Sequence, residues 1–207
     1  MLIWIFAFHS FNFKQPQYEI NLSKSMIRIR PVDMGNIKTH HTWNNDPELN
    51  YFDSDFPLDR EPLSLFSRRL QEMMDDPNSG SLILEIHHEG DQKLIGIVDI
   101  HGIDHINKRC IIECTIAERD YQNQGYGTAA FREAVRYCFD EMGMNKVSSA
   151  AFDFNDKWIR ILTNLEFTKE GTLREHAVKN GKYADKLVFS LLKSEYVTSD
   201  QFQMSLT

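Results

Sequence analysis

Gly125 and Gly127 lie in the stretch Gln122-Asn123-Gln124-Gly125-Tyr126-Gly127-Thr128-Ala129, between a strand-like run and a strongly amphipathic helical pattern. Glycines at a strand-to-helix junction let the backbone come close to a ligand and turn its N–H groups toward an anion. The N-terminus of the following helix adds about half a positive charge at the same place. The junction describes a cradle for a phosphate-bearing cofactor. It also demands a mixed fold, in which a strand delivers the chain straight into a helix.

The surroundings narrow the cofactor. A Walker loop needs a lysine after its second glycine, and Gly127 is followed by Thr128. A Rossmann fingerprint tolerates Ala130 in its third glycine position, and Asp153 stands near the expected acidic residue. However, the strands ahead of the motif are hairpin-linked and do not form a first βαβ unit. Leu82 to His87, Lys93 to Ile103 and Cys110 to Ala117 alternate as strands, joined by turns around Glu89-Gly90-Asp91 and Asn107. A tight turn without ligand is the remaining alternative.

Met26 to Val32 reads as a first strand, and Asp33 can cap a helix running to Trp43 before Asn44-Asn45-Asp46-Pro47 breaks it. Asp53 to Pro57 reads as loop, and Pro62 to Met74 as a helix. Beyond the glycines, Phe131, Ala134, Val135, Cys138, Phe139 and Met142 repeat with helical period over Thr128 to Met142, with Gly143 as a C-cap. Lys146 to Phe152 is strand-like, and Asp156 to Leu165 is helical with Asn155 as its cap. Glu170 to Val178 and Tyr183 to Leu192 form a hairpin about Asn180-Gly181. The order β-α-α-β-β-β-α-β-α-β-β is that of a mixed α/β domain.

The 207 residues suffice for one domain, placed at 26–196, with a tail at 197–207. Residues 1–25 read as an extension or as the product of an upstream start codon. Their apolar run Met1 to Phe8 lacks the basic flank and cleavage site of a signal peptide. The net charge of -7 opposes a nucleic-acid partner and is compatible with a cationic substrate. Cys110, Cys114 and Cys138 form neither a disulfide framework nor a zinc pattern, which suits a reducing cytoplasm. No membrane partner is expected, because no run approaches the roughly 18 apolar residues of a span. His40-His41, His87-His88, His101 and His105 read as solvated side chains and not as metal ligands.

Gln122-x-x-Gly125-x-Gly127 resembles the Q/R-x-x-G-x-G/A signature of the GNAT superfamily of acetyl-CoA-dependent N-acetyltransferases. Ile116 to Tyr121 resembles the approach to that signature, and Asn155 with Ile159 to Phe167 resembles a downstream block. Trp43 to Glu48, Phe167 to Arg174 and Asn180 to Asp185 are similar to the branch that holds ribosomal-protein N-terminal and spermidine acetyltransferases. The resemblance implies a central, mostly antiparallel sheet with a splayed parallel strand pair, about four flanking helices and a C-terminal β-hairpin. It implies acetyl-CoA as co-substrate. Cys114, Thr115, Ile116 and Ala117 would run beside the pantetheine arm. Gln122, Asn123, Gln124, Gly125, Tyr126, Gly127, Thr128 and Ala129 would cradle the pyrophosphate, with Asn155 also touching the cofactor.

Direct attack of an amine on the thioester needs proximity, a base and oxyanion stabilisation. Glu113, acting through water, is the first candidate base and Glu85 the second. The branch's acid, a helix tyrosine, is replaced here by Leu162, so Cys114 or Tyr183 is left to protonate the thiolate. Trp158 and Glu166 replace a small residue and a glycine of the family pattern. The expected acceptor is a protein or peptide N-terminus of the ribosomal kind. Polyamine acetylation is the alternative, with Asp46, Glu48, Asp53, Asp55 and Asp59 as the attracting acids, and a catalytically weak CoA-binding module is the other. A monomer or homodimer is expected.

Overall fold

The computed structural model describes residues 26–76 and 79–196. The expected extension 1–25 and tail 197–207 lie outside the described residues. The chain runs β1 (Ile27–Pro31), a 3-10 turn (Met34–Asn36), α1 (Ile37–Asn44), α2 (Pro47–Asp53) and α3 (Leu63–Asp75). It continues through β2 (Leu82–His88), β3 (Leu94–Asp104), β4 (Arg109–Ile116) and α4 (Tyr126–Asp140). β5 (Lys146–Phe152), α5 (Asp156–Asn164), β6 (Thr168–Lys179), β7 (Lys182–Leu192) and α6 (Lys193–Tyr196) complete it.

The strands form one sheet in the order β1-β2-β3-β4-β5-β7-β6. Every neighbouring pair is antiparallel except β4 and β5. That parallel pair is short: it holds at Arg109↔Lys146, Cys110↔Val147 and Ile111↔Ser148, then ends. From Ile112 onward β4 stays paired with β3 on its other side, while β5 stays with β7. The two central strands therefore part halfway, and a gap opens in the middle of the sheet.

α4 closes one face of the sheet. Its stripe of Phe131, Ala134, Val135 and Cys138 is fully buried against Ile112, Val98 and Ile100. Each buried Phe or Val contributes about 1.5–3 kcal/mol, so this face anchors the helix that follows the glycine loop. Gly143, at φ 67°, lets the chain turn back, and Met144 N–H bonds the Cys138 carbonyl. The opposite face carries α1, α2 and α3, with Phe66 and Leu70 of α3 packed near Val32 and Ile83.

Two turns follow from their residues. Asn180 and Gly181 take φ 49° and 77°, the twin positive values of a tight hairpin. At the end of α5, Glu166 takes φ 62°, Phe167 N–H bonds Leu162 O, and Glu166 N–H bonds Thr163 O. This is a Schellman close. The family glycine is gone, yet its backbone geometry is kept.

The structure corrects two expectations. Asp53 to Pro57 is not all loop, because Pro47 to Asp53 forms α2. Asp46 Oδ1 caps it, accepting from Glu48 N at 2.8 Å and Leu49 N at 3.2 Å, and Pro47 takes the first turn. Nor are all the histidines solvated. His40 and His87 are buried, and each donates through Nε2 to the Glu85 carboxylate at 2.8 Å.

Candidate active site

The parting of β4 and β5 creates a cavity of about 430 Å³, within the usual range for a ligand site. β4 forms its floor, and successive β4 side chains point to opposite faces. Cys114 reaches toward α4, its thiol 3.7 Å from Gly127 O. Thr115 turns the other way and donates from Oγ1 to Asp53 Oδ2 at 2.8 Å.

The glycine loop forms the upper wall. Gln122 Nε2 donates to Ile116 O at 2.8 Å and pins the loop to the strand end. Asn123 and Gly125 take φ 61° and 88°. Gly125 stands at the N-cap of α4, and no side chain caps this helix, unlike α2 and α5. The first α4 N–H with a helical acceptor is that of Ala129, bonded to Gly125 O. The N–H groups of Tyr126, Gly127 and Thr128 find no acceptor among the described residues. Three orphan donors at the positive end of a 15-residue helix make an anion site. Lys157 and Arg160 of α5 stand exposed at the rim and add the positive charge that phosphates attract.

The far wall comes from β5 and α5. Asn155 lines the cavity and caps α5, its Oδ1 accepting from Trp158 N at 3.2 Å. Trp158 also lines it, set edge-on to Phe131 with ring centres 4.8 Å apart and donating from Nε1 to Ser149 Oγ at 3.3 Å. It is thus a fixed part of the wall. Leu162 is fully buried in the core and supplies no proton donor.

Cys114, Thr115, Ile116, Gln122, Asn123, Gly125, Gly127, Thr128, Asn155 and Glu113 therefore meet at one cavity. Five residues singled out from the sequence have side chains placed elsewhere. Ala117 is buried with Trp43 and Leu94, and Tyr126 is buried against His88 and Tyr121. Ala129 packs on the core, and Gln124 bonds Asp120 O. Tyr183 sits at the hairpin tip, 69% exposed and outside the cavity lining, so it is not brought to a thiolate. Cys114 makes a poor acid as well, since burial and then the nearby Asp53 charge push its thiol far above its usual range.

The α2 side carries the acids. Glu113 lines the cavity, paired across the sheet with Asp99 and 3.8 Å from His101 Nε2. Burial lifts Asp99 to about 6, the His101 charge opposes this, and the Glu113 charge adds to it. Asp53 ends α2 and lines the cavity, exposed to solvent there yet flanked by protein that displaces water around it. That enclosure raises its carboxyl to about 6, against the Thr115 hydrogen bond and with help from Glu113. Glu85, the second candidate base, is not in the lining. Burial pushes it up, but His40, His87 and Asp33 N–H together outweigh that and hold it at about 2. It is a structural anchor for α1.

The sheet split at its centre and the uncapped glycine helix coincide with a match of the acetyltransferase (GNAT) domain model over residues 27–168. The chain belongs to the GNAT acetyltransferases. Members of this family are acyltransferases that take the acetyl group from acetyl-CoA. YdaF of Bacillus subtilis, whose assignment as a ribosomal N-acetyltransferase is itself provisional, is 32% identical over 106 residues, 51% of this chain and 57% of YdaF. The chain thus matches little more than half the length of that relative. The spermidine N(1)-acetyltransferase of Vibrio cholerae is 22% identical over 179 residues, 86% of this chain and 99% of the relative. The crystal structure of the Vibrio cholerae spermidine N-acetyltransferase with CoA and spermine superposes with a TM-score of 0.78 at 22% identity, covering 84% of this chain and all of that one. This likeness shares the GNAT fold. Among the described residues, no helix of this GNAT chain is long and apolar enough to cross a membrane, and no side-chain group suits a metal ion.

Proposed function

We propose that the protein moves the acetyl group of acetyl-CoA to a single primary amine, with a peptide N-terminus of the ribosomal kind as its preferred acceptor. The co-substrate's pantetheine arm would lie in the gap beside Cys114 to Ile116, and its pyrophosphate over the orphan N–H groups of α4. The sulfur and acetyl group would then face the acidic α2 side.

One observation carries the choice of acceptor: among the described residues, the carboxylates lining the cavity are Asp53 and Glu113. Most neighbouring acids are taken up by the chain's own cations. Arg119 holds Asp46 and Glu48, while Lys186 at 2.6 Å and His176 at 3.4 Å hold Asp55. Two cavity carboxylates match one ammonium, whereas a polycation gains from a row of them. Leu49 and Phe52 beside Asp53 offer apolar contact to the group that bears the amine.

Polyamine acetylation is the second reading, favoured by the nearly full-length likeness to spermidine acetyltransferases. A thiol-release assay with acetyl-CoA over N-terminal peptides, monoamines and spermidine separates the two. The expected result is a kcat/KM for peptides at least about tenfold above spermidine, a gap of about 1.4 kcal/mol. The reverse order selects the polyamine. Calorimetric binding of CoA with no turnover on any amine makes the protein a binding module, and absence of binding ends the acetyltransferase reading.

A further inference from the structure

Thr115 and Asp53 meet across the open face of the split sheet, 62 residues apart in the chain. Thr115 belongs to the part of β4 that has lost β5 as its neighbour, and Asp53 is the last residue of α2. The contact therefore holds a carboxylate directly over the strand along which the thioester would lie. Asp53 is fixed from behind as well. Lys179 Nζ, from β6, donates to Asn50 O at 3.3 Å and Ser54 O at 2.5 Å, gripping the end of α2 on both sides of Asp53.

Glu113 is the other acid of the cavity, but His101 stands 3.8 Å from it. Glu113 is thus already engaged by a basic side chain, whereas the donor to Asp53 is a neutral hydroxyl. Among the described residues Thr115 is the one hydrogen-bond donor to Asp53, bound at Oδ2, and the residue lines the cavity. We propose that Asp53 is the catalytic base of the transfer, with Thr115 as its positioning residue and Glu113 as the group that holds the acceptor ammonium beside it. This assignment rests on the acetyl-transfer reading above.

The step balances as follows. The acceptor ammonium gives one proton to the Asp53 carboxylate and becomes a neutral amine. Its lone pair forms the N–C bond at the thioester carbon, and the carbonyl oxygen takes up the displaced electron pair. The oxyanion then collapses, the C–S bond breaks, and that bond's electron pair leaves on the CoA sulfur. The second proton on nitrogen passes to the sulfur, giving amide and thiol. Asp53 returns its proton to water. No separate acid side chain is required, which agrees with a core Leu162 and a remote Tyr183.

The charged and titratable groups facing Asp53 are Glu113 and Cys114 of β4, Lys179 of β6 and, across the cavity, Lys186 of β7. Enclosure first, and Glu113 after it, lift the carboxyl to about 6, while Thr115 and Lys179 oppose the rise. A base poised near the working pH is the effective kind.

The test is the pH profile of kcat/KM for the best acceptor, measured on the full chain as wild type, Asp53→Asn, Thr115→Val and Glu113→Gln. CoA affinity by calorimetry serves as the folding control. The wild type should gain activity through pH 6 and level off. Asp53→Asn should lose about 100-fold or more of its kcat and the limb near pH 6 with it, while binding CoA normally. Thr115→Val should keep the limb and move it to higher pH, because a donor to the charged carboxylate is gone. Glu113→Gln should raise KM more than it lowers kcat. An active wild type with Asp53→Asn equally active, or with the limb removed by Glu113→Gln alone, overturns the assignment and leaves the acetyltransferase standing. A wild type silent on every amine overturns both.

Discussion

The Lys179 ammonium, near the tip of the C-terminal hairpin, donates to the Asn50 carbonyl in α2, 129 residues earlier in the chain. It also lies 4.6 Å from the centre of the Phe152 ring. A helix this short has little stability of its own, so this grip and the Asp46 cap decide where the α2 wall stands. Replacing Lys179 by Met keeps the apolar stem and removes the donor. The expected outcome is a KM for the amine about tenfold higher, equal to about 1.4 kcal/mol, with CoA affinity unchanged. Parallel titrations of amine and acetyl-CoA check it, and a matching loss in both would show that the whole domain has loosened.

Gly127 separates a ligand-bearing loop from a merely tight turn. A Cβ built there meets only Ile116 Cγ1, at 3.5 Å, an ordinary contact. Gly127→Ala should therefore fold as well as the parent, or better by up to about 1 kcal/mol, since Ala suits a helix. The methyl would nonetheless stand beside the orphan N–H groups over which the pyrophosphate is proposed to lie. Acetyl-CoA affinity should fall at least tenfold while the melting temperature holds or rises.

Glu85 makes stability depend on pH in a defined direction. Its carboxyl is depressed from 4.5 to about 2 in the fold. The stabilisation is thus present in full above the unfolded value and is lost as pH falls from about 4.5 toward about 2. The shift corresponds to about 3 kcal/mol. Glu85→Gln should cost about that much at pH 7, and the deficit should shrink as acid protonates the parent. Urea unfolding of both proteins at stepped pH measures the convergence. A constant difference down to pH 2.5 would refute it.

Glu166 holds a backbone conformation that disfavours side chains by roughly 1–2 kcal/mol, while glycine's greater freedom when unfolded offsets part of that. Glu166→Gly should stabilise the domain by about 0.5–1 kcal/mol. The thermal midpoint, compared at equal concentration, is the readout. A lower midpoint would mean that the carboxylate has a stabilising partner.

Sequence patterning located what local chemistry specifies. The α4 stripe, the Asn180-Gly181 turn and the Asn155 cap each depend on residues close in the chain, and all three are found as read. α2 escaped notice because seven residues, PELNYFD, carry no apolar stripe, and because Arg119 and Lys179, which hold its two ends, lie far away in sequence. His40 and His87 looked like surface residues for a similar reason. Their partner Glu85, 1% exposed, lies 45 residues from His40, and although it is two residues from His87 on one strand face, only the fold buries that face. At the cavity, the glycine loop that lines it was legible as a contiguous motif. The α2 side was not, because Asp53 gains its meaning from Thr115. The cations Lys157 and Arg160 had one available signal, their place two and five residues after Asn155 on the face of a capped helix.

Where β4 and β5 part, the sheet has two raw margins in its interior, in addition to those at its rim. Exposed strand margins invite pairing with whatever extended chain is nearby. A pantetheine arm lying there would act as a removable plug, so the supply of CoA would bear on keeping copies of this protein from sticking together as well as on turnover. Protein stored without CoA should cloud sooner on warming than protein stored with it, even at a concentration where catalysis is not being asked for.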